Sequence, residues 1–231
     1  MKPWEILGRA RTPDGVELTL SRHPSEYRIT ADGASLMSSR AHGSEEALAT
    51  LGCVRARTLA APHVLVGGLG MGFTLRAALD VLPPAARIVV VEFLPEVVEW
   101  NRGPLGELAK HPIDDPRVRV ETRDVLVAMR SNPGAFDAIL LDVDNGPTAM
   151  ASSSNVRLYD ANGIGVARDA LKAGGVLAVW SASDDRRFER WLRAAGFTVQ
   201  RNHVRSRVTK GRRHTILLAH NGPAGDPLDH R

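Results

Sequence analysis

The chain has 231 residues, of which 43% are hydrophobic and 24% are charged, as is ordinary for a globular protein. Its apolar runs span only a few residues, whereas a transmembrane helix needs about 20, so the sequence excludes a membrane-spanning protein. Glu5 stands where a signal peptide would carry its apolar core, and the single cysteine, Cys53, can form neither an internal disulfide nor a cysteine-based metal site. We therefore expect a protein of the reducing cytoplasm with no membrane partner and no metal.

The net charge of +4 is unevenly distributed along the chain. Residues 186–213 contain ten lysines or arginines and one acid, Glu189, so they carry +9 and leave −5 on the rest of the chain. A basic segment of this kind can bind nucleic acid or an acidic partner. We favour the simpler interpretation, a solvated helix face followed by a basic hairpin at the edge of a sheet.

The first 42 residues predict a small antiparallel β unit. Turn signals occur at Pro13-Asp14-Gly15 and Ala31-Asp32-Gly33, with alternating polar and apolar residues between them. Ser44 then stands at the N-cap position of a helix that we expect to run to about Leu59.

From residue 63 onward, apolar strands alternate with helical patterns, which is typical of a parallel sheet covered on both faces. The predicted strands are 63–67, 87–92, 118–121, 136–142, 176–181, 197–202 and 214–219. The predicted helices are 71–81, 95–110, 125–130, 155–172 and 185–195. Because no helix separates the last two strands, we expect them to form an antiparallel hairpin at the sheet edge. The prediction is an α/β, Rossmann-like doubly wound domain over residues 43–220, followed by a flexible tail over 221–231.

A glycine-rich turn follows the first of these strands and contains Gly67, Gly68, Gly70 and Gly72. Glycines permit a tight turn, let a ligand lie against the backbone and place helix N–H groups toward it. The spacing differs from the dinucleotide fingerprint, since Phe73 stands where the last glycine would be. An NAD-dependent oxidoreductase is therefore disfavoured.

Acidic side chains at the next two strand–helix junctions suit a nucleoside. Glu92 ends its strand about twenty residues beyond the glycines, where an acid can accept both hydroxyls of a ribose. Asp124 precedes Val125 at the start of a helix, where it is a natural N-cap. It can equally reach an adenine amino group, and both roles stay open.

The most informative segment is residues 139–147, in which the predicted strand 136–142 delivers Asp142 and Asp144 to the carboxyl edge of the sheet. Open α/β sheets bind ligands at this edge. Carboxylates there can orient a cationic amine and accept its proton, although turn capping is a structural alternative. We expect Tyr159, at the opening of the next helix, to point back into the same crevice.

Over about residues 30–200, these features resemble the class I S-adenosylmethionine fold and, more narrowly, the spermidine synthase (polyamine aminopropyltransferase) family. The resemblance implies that the turn at residues 67–72 holds the donor nucleoside, that Glu92 binds its ribose and that Asp124 contacts its adenine. It also implies that Asp142 is the catalytic carboxylate. The family's later active-site tyrosine looks like Tyr159.

The amine side of the site departs from the family pattern. The turn's aspartate, which in the family meets the ammonium of decarboxylated S-adenosylmethionine, is replaced by Gly70. The family's Tyr-His pair falls at Ser44 and Glu45, and its glutamine is replaced by Leu36 or Met37.

The catalytic segment also departs from that pattern. The family's second aspartate aligns with Asn145, although Asp144 can serve with a shift of one residue.

The resemblance implies aminopropyl transfer from decarboxylated S-adenosylmethionine to a small-molecule amine, by a homo-oligomer that we expect to be a dimer. Methyl transfer from intact S-adenosylmethionine to a small molecule is the alternative that Gly70 favours, since no acid there repels the donor's carboxylate. A non-catalytic nucleoside- or RNA-binding module is the alternative that residues 186–213 favour.

Overall fold

The computed structural model describes residues 3–24, 26–143, 157–206 and 211–222. In the N-terminal part the strands are β1 (Glu5–Arg11), β2 (Glu17–His23), β3 (Glu26–Ala31) and β4 (Ala34–Ser38). They pair in chain order as one antiparallel sheet. At Asp32 and Gly33 φ is +45° and +80°, so the predicted turn is a two-residue hairpin turn between β3 and β4. The small antiparallel β unit is thus confirmed.

The main sheet begins at residue 63. Its strands are β5 (His63–Gly67), β6 (Arg87–Glu92), β7 (Val118–Thr122), β8 (Phe136–Leu141), β9 (Leu171–Ser181), β10 (Phe197–Arg205) and β11 (Arg213–Asn221). Among the described residues their order is β10-β11-β9-β8-β5-β6-β7. Strands β5 to β9 are parallel, whereas β11 runs antiparallel to both β9 and β10. The predicted α/β sheet with an antiparallel C-terminal hairpin is confirmed.

Helices cover both faces of this sheet. They are α1 (Gly43–Gly52), α2 (Phe73–Val81), α3 (Pro95–Arg102), α4 (Val125–Arg130), α5 (Ala161–Ala170) and α6 (Arg186–Ala194). Short 3-10 helices lie at Ala56–Thr58, Gly106–Ala109 and Pro112–Asp114. Within the described ranges, no helix is both long and apolar enough to span a bilayer.

The alternation of side chains along the central strands builds two cores. Val64 and Val66 of β5 enter one hydrophobic cluster, and Leu65 between them enters the other. Every residue of β8 is buried, because this strand lies in the middle of a sheet that is covered on both sides. Burial of each such aliphatic side chain contributes roughly 1.5–3 kcal/mol to folding.

The order of the strands fixes where a ligand can bind. From β5 the chain continues outward to β6 and β7, whereas β8 lies on the other side of β5 and leads to β9. The carboxyl ends of β5 and β8 are adjacent, with Gly67 paired to Leu141. A crevice opens where the winding reverses, and ligands of open α/β sheets bind there.

The first helix differs from the prediction. It begins at Gly43, and the residue at its N-cap is His42, not Ser44. The Ser44 hydroxyl instead donates a 2.5 Å hydrogen bond to the Glu45 carboxylate, so it is unable to cap the helix. The helix ends at Gly52, where a side chain would meet Leu140 Cδ2 at 2.3 Å.

Other helix and strand ends also differ from the prediction. The helix predicted to reach Lys110 ends at Arg102, because Gly103 and Pro104 break it. The helix predicted to reach Lys172 ends at Ala170, where β9 begins earlier than expected. The first residues of that predicted helix lie outside the described residues. The predicted domain boundary after residue 42 and the predicted flexible tail over residues 221–231 stay predictions.

The basic segment has the structure that we favoured, a helix followed by an edge hairpin. Phe188 and Leu192 of α6 are buried against the sheet. Glu189 forms ion pairs with both Arg193 and Arg201, which links the helix to β10. Residues 207–210, between β10 and β11, lie outside the described residues.

Candidate active site

A cavity of about 150 Å³ lies between the N-terminal sheet and the carboxyl ends of the main sheet. From the main sheet it is lined by Gly68, Gly70, Glu92, Asp124, Val125 and Asp142. The N-terminal sheet covers it with apolar side chains, among them Leu18, Ile29 and Met37. Residues predicted at four separate strand ends therefore share one enclosed space.

The turn between β5 and α2 has a backbone geometry that glycine adopts most readily. Gly68, Gly70 and Gly72 have φ of +88°, +51° and +84°. A Cβ atom on Gly68 would lie 2.4 Å from the carbonyl oxygen of Asp142. Gly68 and Gly70 line the cavity, so the absence of side chains leaves room for a ligand against the backbone.

Gly67 and Gly72 shape the turn from outside the cavity. A Cβ atom on Gly67 would lie 2.9 Å from Leu141 Cδ2 and from Val125 Cγ2, so a larger residue there would require these side chains to shift. Gly72 is the N-cap residue of α2. Direct contact of these two glycines with a donor stays a prediction.

Glu92 ends β6 and presents its carboxylate to the cavity. One of its oxygens accepts from the backbone N–H of Leu69 and the other from that of Leu94, both at 3.0 Å. Burial raises the pKa of Glu92 in spite of these bonds. These bonds fix the carboxylate at the cavity wall, where its oxygens can accept from a diol.

Asp124 is the N-cap of α4. Its Oδ1 accepts from the N–H groups of Leu126 at 2.7 Å and Val127 at 3.2 Å. Both bonds end on one oxygen of a residue that also lines the cavity, together with Val125. The two roles predicted for Asp124, capping and contact with a base, are therefore compatible.

Asp142 follows β8 directly at the switch point. Its backbone N–H donates to the Gly67 carbonyl at 2.8 Å, and its Oδ2 accepts from the Thr74 hydroxyl at 2.6 Å. Burial raises the pKa of Asp142 to about 6, against the lowering effect of Thr74. A carboxylate held in this way is a suitable proton acceptor near neutral pH.

Glu45 is an additional acid near Asp142 that the sequence analysis did not assign to the site. It lies in the first turn of α1 and lines a second, smaller cavity together with Asp142 and Thr74. Burial and the negative charge of Asp142 raise the pKa of Glu45 to about 7. One feature of the sequence could have indicated this role for Glu45: it is an acid that stands where the family carries its Tyr-His pair.

The expectation that Tyr159 points into the crevice stays a prediction, and the structure gives its contacts among the described residues. This side chain is only 4% exposed, and its ring packs edge-on against Phe188 with 5.5 Å between centroids. Its hydroxyl donates to the Val143 carbonyl at 3.2 Å, and the cavity is lined by the preceding residue, Leu158. Tyr159 thus lies in the core beside the crevice and supports the backbone just after Asp142.

Asp144 and Asn145 lie outside the described residues, so the roles predicted for them stay predictions. Among residues 3–24, 26–143, 157–206 and 211–222, no three His, Cys, Asp or Glu side chains are grouped as metal ligands.

Comparison with known proteins shows the family to which this chain belongs. The model of the spermine/spermidine synthase domain family matches residues 42–185. A curated polyamine aminopropyltransferase of Mycobacterium tuberculosis is 32% identical over 153 residues, which cover 62% of this chain. The match spans only 28% of the length of that relative.

Two solved structures share the fold. Spermidine synthase from Thermotoga maritima superposes with a TM-score of 0.69 at 20% identity, covering 94% of this chain and 73% of that one. A spermidine synthase in complex with the transition state analogue AdoDATO superposes with a TM-score of 0.69 at 18% identity. The superposition covers 94% of this chain and 72% of that one. With the family model matching more than half of its length, the chain belongs to the spermine/spermidine synthase family.

Proposed function

We propose that this chain is an aminopropyltransferase that moves an aminopropyl group from decarboxylated S-adenosylmethionine to a small-molecule amine. The observation that carries the proposal is that Glu92, Asp124 and the half-buried Asp142 line the same cavity. Family membership and the name of the curated relative support the same reaction.

The nucleoside of the donor would lie over the glycine turn. Glu92 would accept the ribose hydroxyls, while Oδ2 of Asp124 would accept from the adenine amino group. The apolar side chains of Leu18 and Ile29 would cover the donor and exclude water, since both line the cavity from the N-terminal sheet. In this arrangement the sulfonium end would lie toward Gly70 and Asp142.

The amine nitrogen would attack the aminopropyl methylene carbon that is bonded to the sulfonium, and the bond between that carbon and sulfur would break to release methylthioadenosine. Holding the two reactants in line contributes up to roughly 7–11 kcal/mol of the barrier reduction. Only a neutral amine has a free lone pair, and Asp142 is the base in reach of the sulfonium end. General-base catalysis of this kind adds roughly 10²–10⁴-fold.

Two further residues from the sequence analysis have narrower roles in this proposal. Asp144 is the candidate for orienting the amine beside Asp142. Tyr159 is a positioning residue, because its hydroxyl bonds the backbone of Val143. We further propose, from the sequence alone, a homodimer in the cytoplasm.

Methyl transfer from intact S-adenosylmethionine is the second candidate. It is favoured by Gly70, where the family carries the aspartate that meets the donor's ammonium. A Cβ atom on Gly70 would lie 3.0 Å from Met37 Sδ, so an uncharged thioether faces this part of the turn.

The products distinguish the two reactions. The protein is incubated with each donor and 1,4-diaminobutane, and the mixture is analysed by mass spectrometry. Aminopropyl transfer yields methylthioadenosine and an aminopropylated diamine, whereas methyl transfer yields S-adenosylhomocysteine. Methylated product from the intact donor, with no aminopropylated product from the decarboxylated one, would reject the proposal.

A further inference from the structure

Beside the donor cavity lies a second cavity of about 10 Å³, and the two share Met37, Gly70 and Asp142. This volume is about that of one water-sized group, which is also the size of an ammonium head. Its other walls include the apolar side chains of Leu69 and Phe73, so an alkyl chain attached to such a head would have apolar surroundings.

Two carboxylates face this small space. Asp142 enters from the end of β8, and Glu45 enters from the first turn of α1. Each has a hydroxyl partner: Thr74 donates to Asp142 at 2.6 Å, and Ser44 donates to Glu45 at 2.5 Å. Hydroxyls can orient carboxylates, but they do not neutralise them.

The charges around Glu45 are negative. The charged groups that act on it are Asp142 and Glu46, both acidic. Within the described part of the chain, neither Glu45 nor Asp142 forms an ion pair with a basic side chain. Two carboxylates in one partly desolvated site disfavour each other's ionisation, and a cation placed between them would relieve that repulsion.

We propose that Glu45 is a specificity-determining residue of the acceptor site, and that with Asp142 it selects an acceptor whose cationic nitrogen enters the small cavity. This inference rests on the proposed aminopropyl transfer and assigns to Glu45 a role in binding its acceptor. Glu45 stands where the family's Tyr-His pair falls, so this acid is a feature of the present chain rather than of the family pattern.

The pair can accept the one proton that the reaction releases. An entering alkylammonium transfers one proton to a carboxylate, which leaves a neutral amine and a carboxylic acid. The nitrogen lone pair forms the new N–C bond while the C–S electrons pass to sulfur, and the product is a secondary ammonium. This secondary ammonium keeps its proton, so one proton passes to the pair in all, and the second carboxylate stays available to pair with the cation.

The test compares Glu45→Gln with Glu46→Gln, since both substitutions remove an acid from the first turn of α1. Glu46 is exposed and contacts the His42 ring at 2.9 Å. The probe is 1,4-diaminobutane, titrated by calorimetry into protein saturated with methylthioadenosine. Titrations in phosphate and in Tris at pH 7 measure the protons released on binding, because the two buffers differ in ionisation enthalpy.

We expect Glu45→Gln to bind the diamine at least tenfold more weakly and to release fewer protons, while Glu46→Gln stays within twofold of wild type. Methylthioadenosine affinity should be equal in all three proteins, which shows that the variants are folded. 1,4-Butanediol, which has the same length but no charge, should not compete. Wild-type diamine affinity in Glu45→Gln, or no diamine binding by wild type, would overturn the inference.

The product assay separates this inference from the proposed function. If diamine binding depends on Glu45 but no donor yields an aminopropylated product, the proposed role of Glu45 in amine binding is supported and the proposed transferase activity is rejected. If aminopropylated product forms and Glu45→Gln retains the wild-type KM for the diamine, the proposed transferase activity is supported and the proposed role of Glu45 is overturned.

Discussion

Asn101 on α3 holds the glycine turn at Gly70: its Nδ2 donates to the Gly70 carbonyl oxygen at 2.9 Å. The same nitrogen donates to the Val97 carbonyl at 2.9 Å, and the side chain is completely buried. The position of the Gly70 turn, which lines the cavity, therefore depends on a side chain near the end of α3, a helix whose first turn also lines the cavity.

Asn101→Ala should lower the free energy of unfolding and weaken donor binding together. The variant leaves the Gly70 carbonyl without its buried donor, which costs about 1–3 kcal/mol. Urea unfolding and methylthioadenosine calorimetry measure the two effects. A variant with normal stability and normal affinity would show that the turn is held by other contacts.

Glu92→Gln should weaken methylthioadenosine binding. Hydrogen bonds to a charged group contribute roughly 1.5–3 kcal/mol, so the affinity should fall by about ten- to a hundredfold. Glu99→Gln, on the exposed face of α3, is the matched control and should bind normally. Equal affinities of the two variants by calorimetry would remove Glu92 from the site.

Gly70→Asp should shift donor preference toward decarboxylated S-adenosylmethionine. At an effective dielectric near 20, one charge pair at 4 Å is worth about 4 kcal/mol before desolvation, so the net effect should be smaller. The φ of +51° at Gly70 is tolerated by aspartate and asparagine better than by most residues. Gly70→Asn is therefore the uncharged control for shape.

In the wild-type protein, intact and decarboxylated donors should bind within about tenfold of each other, a difference of roughly 1.4 kcal/mol. Calorimetry with both donors measures this ratio in wild type and in the two variants. A several-hundredfold preference of the wild type for the decarboxylated donor would require another acid as the source of selectivity, with Asp142 the first candidate.

Glu45→Gln should make stability less dependent on pH. The pKa of Glu45 is raised from 4.5 to about 7 in the folded protein, so between these values the folded state binds more protons than the unfolded state. The stabilisation from Glu45 is complete below about pH 4 and is lost as pH rises through about 7. Replacement by glutamine removes this loss.

The variant should therefore be more stable than wild type at pH 8, by about 1–2 kcal/mol, and nearly equal to it at pH 4. Urea unfolding at the two pH values measures the difference, with Glu46→Gln as the control. An equal gain at both pH values would mean that burial of the Glu45 carboxylate does not cause the effect.

Much of the fold and half of the site follow from local sequence. β5 and β6 have the predicted bounds, because short apolar runs end in a glycine turn and in an acid. Glu92, Asp124 and Asp142 could be brought together from sequence since parallel strands present their carboxyl ends at one edge of a sheet. That rule needs only the order of strands and helices along the chain.

Tertiary packing decided the rest. Glu45 reaches Asp142 because α1 lies close against the sheet, where Gly52 leaves room for Leu140 and Ala178. The N-terminal sheet covers the donor cavity with apolar side chains such as Ile29, although its own sequence indicates only a hairpin unit. Local periodicity determines which face of an element is apolar, but the distance between residues far apart in the chain depends on how the packed elements fit together.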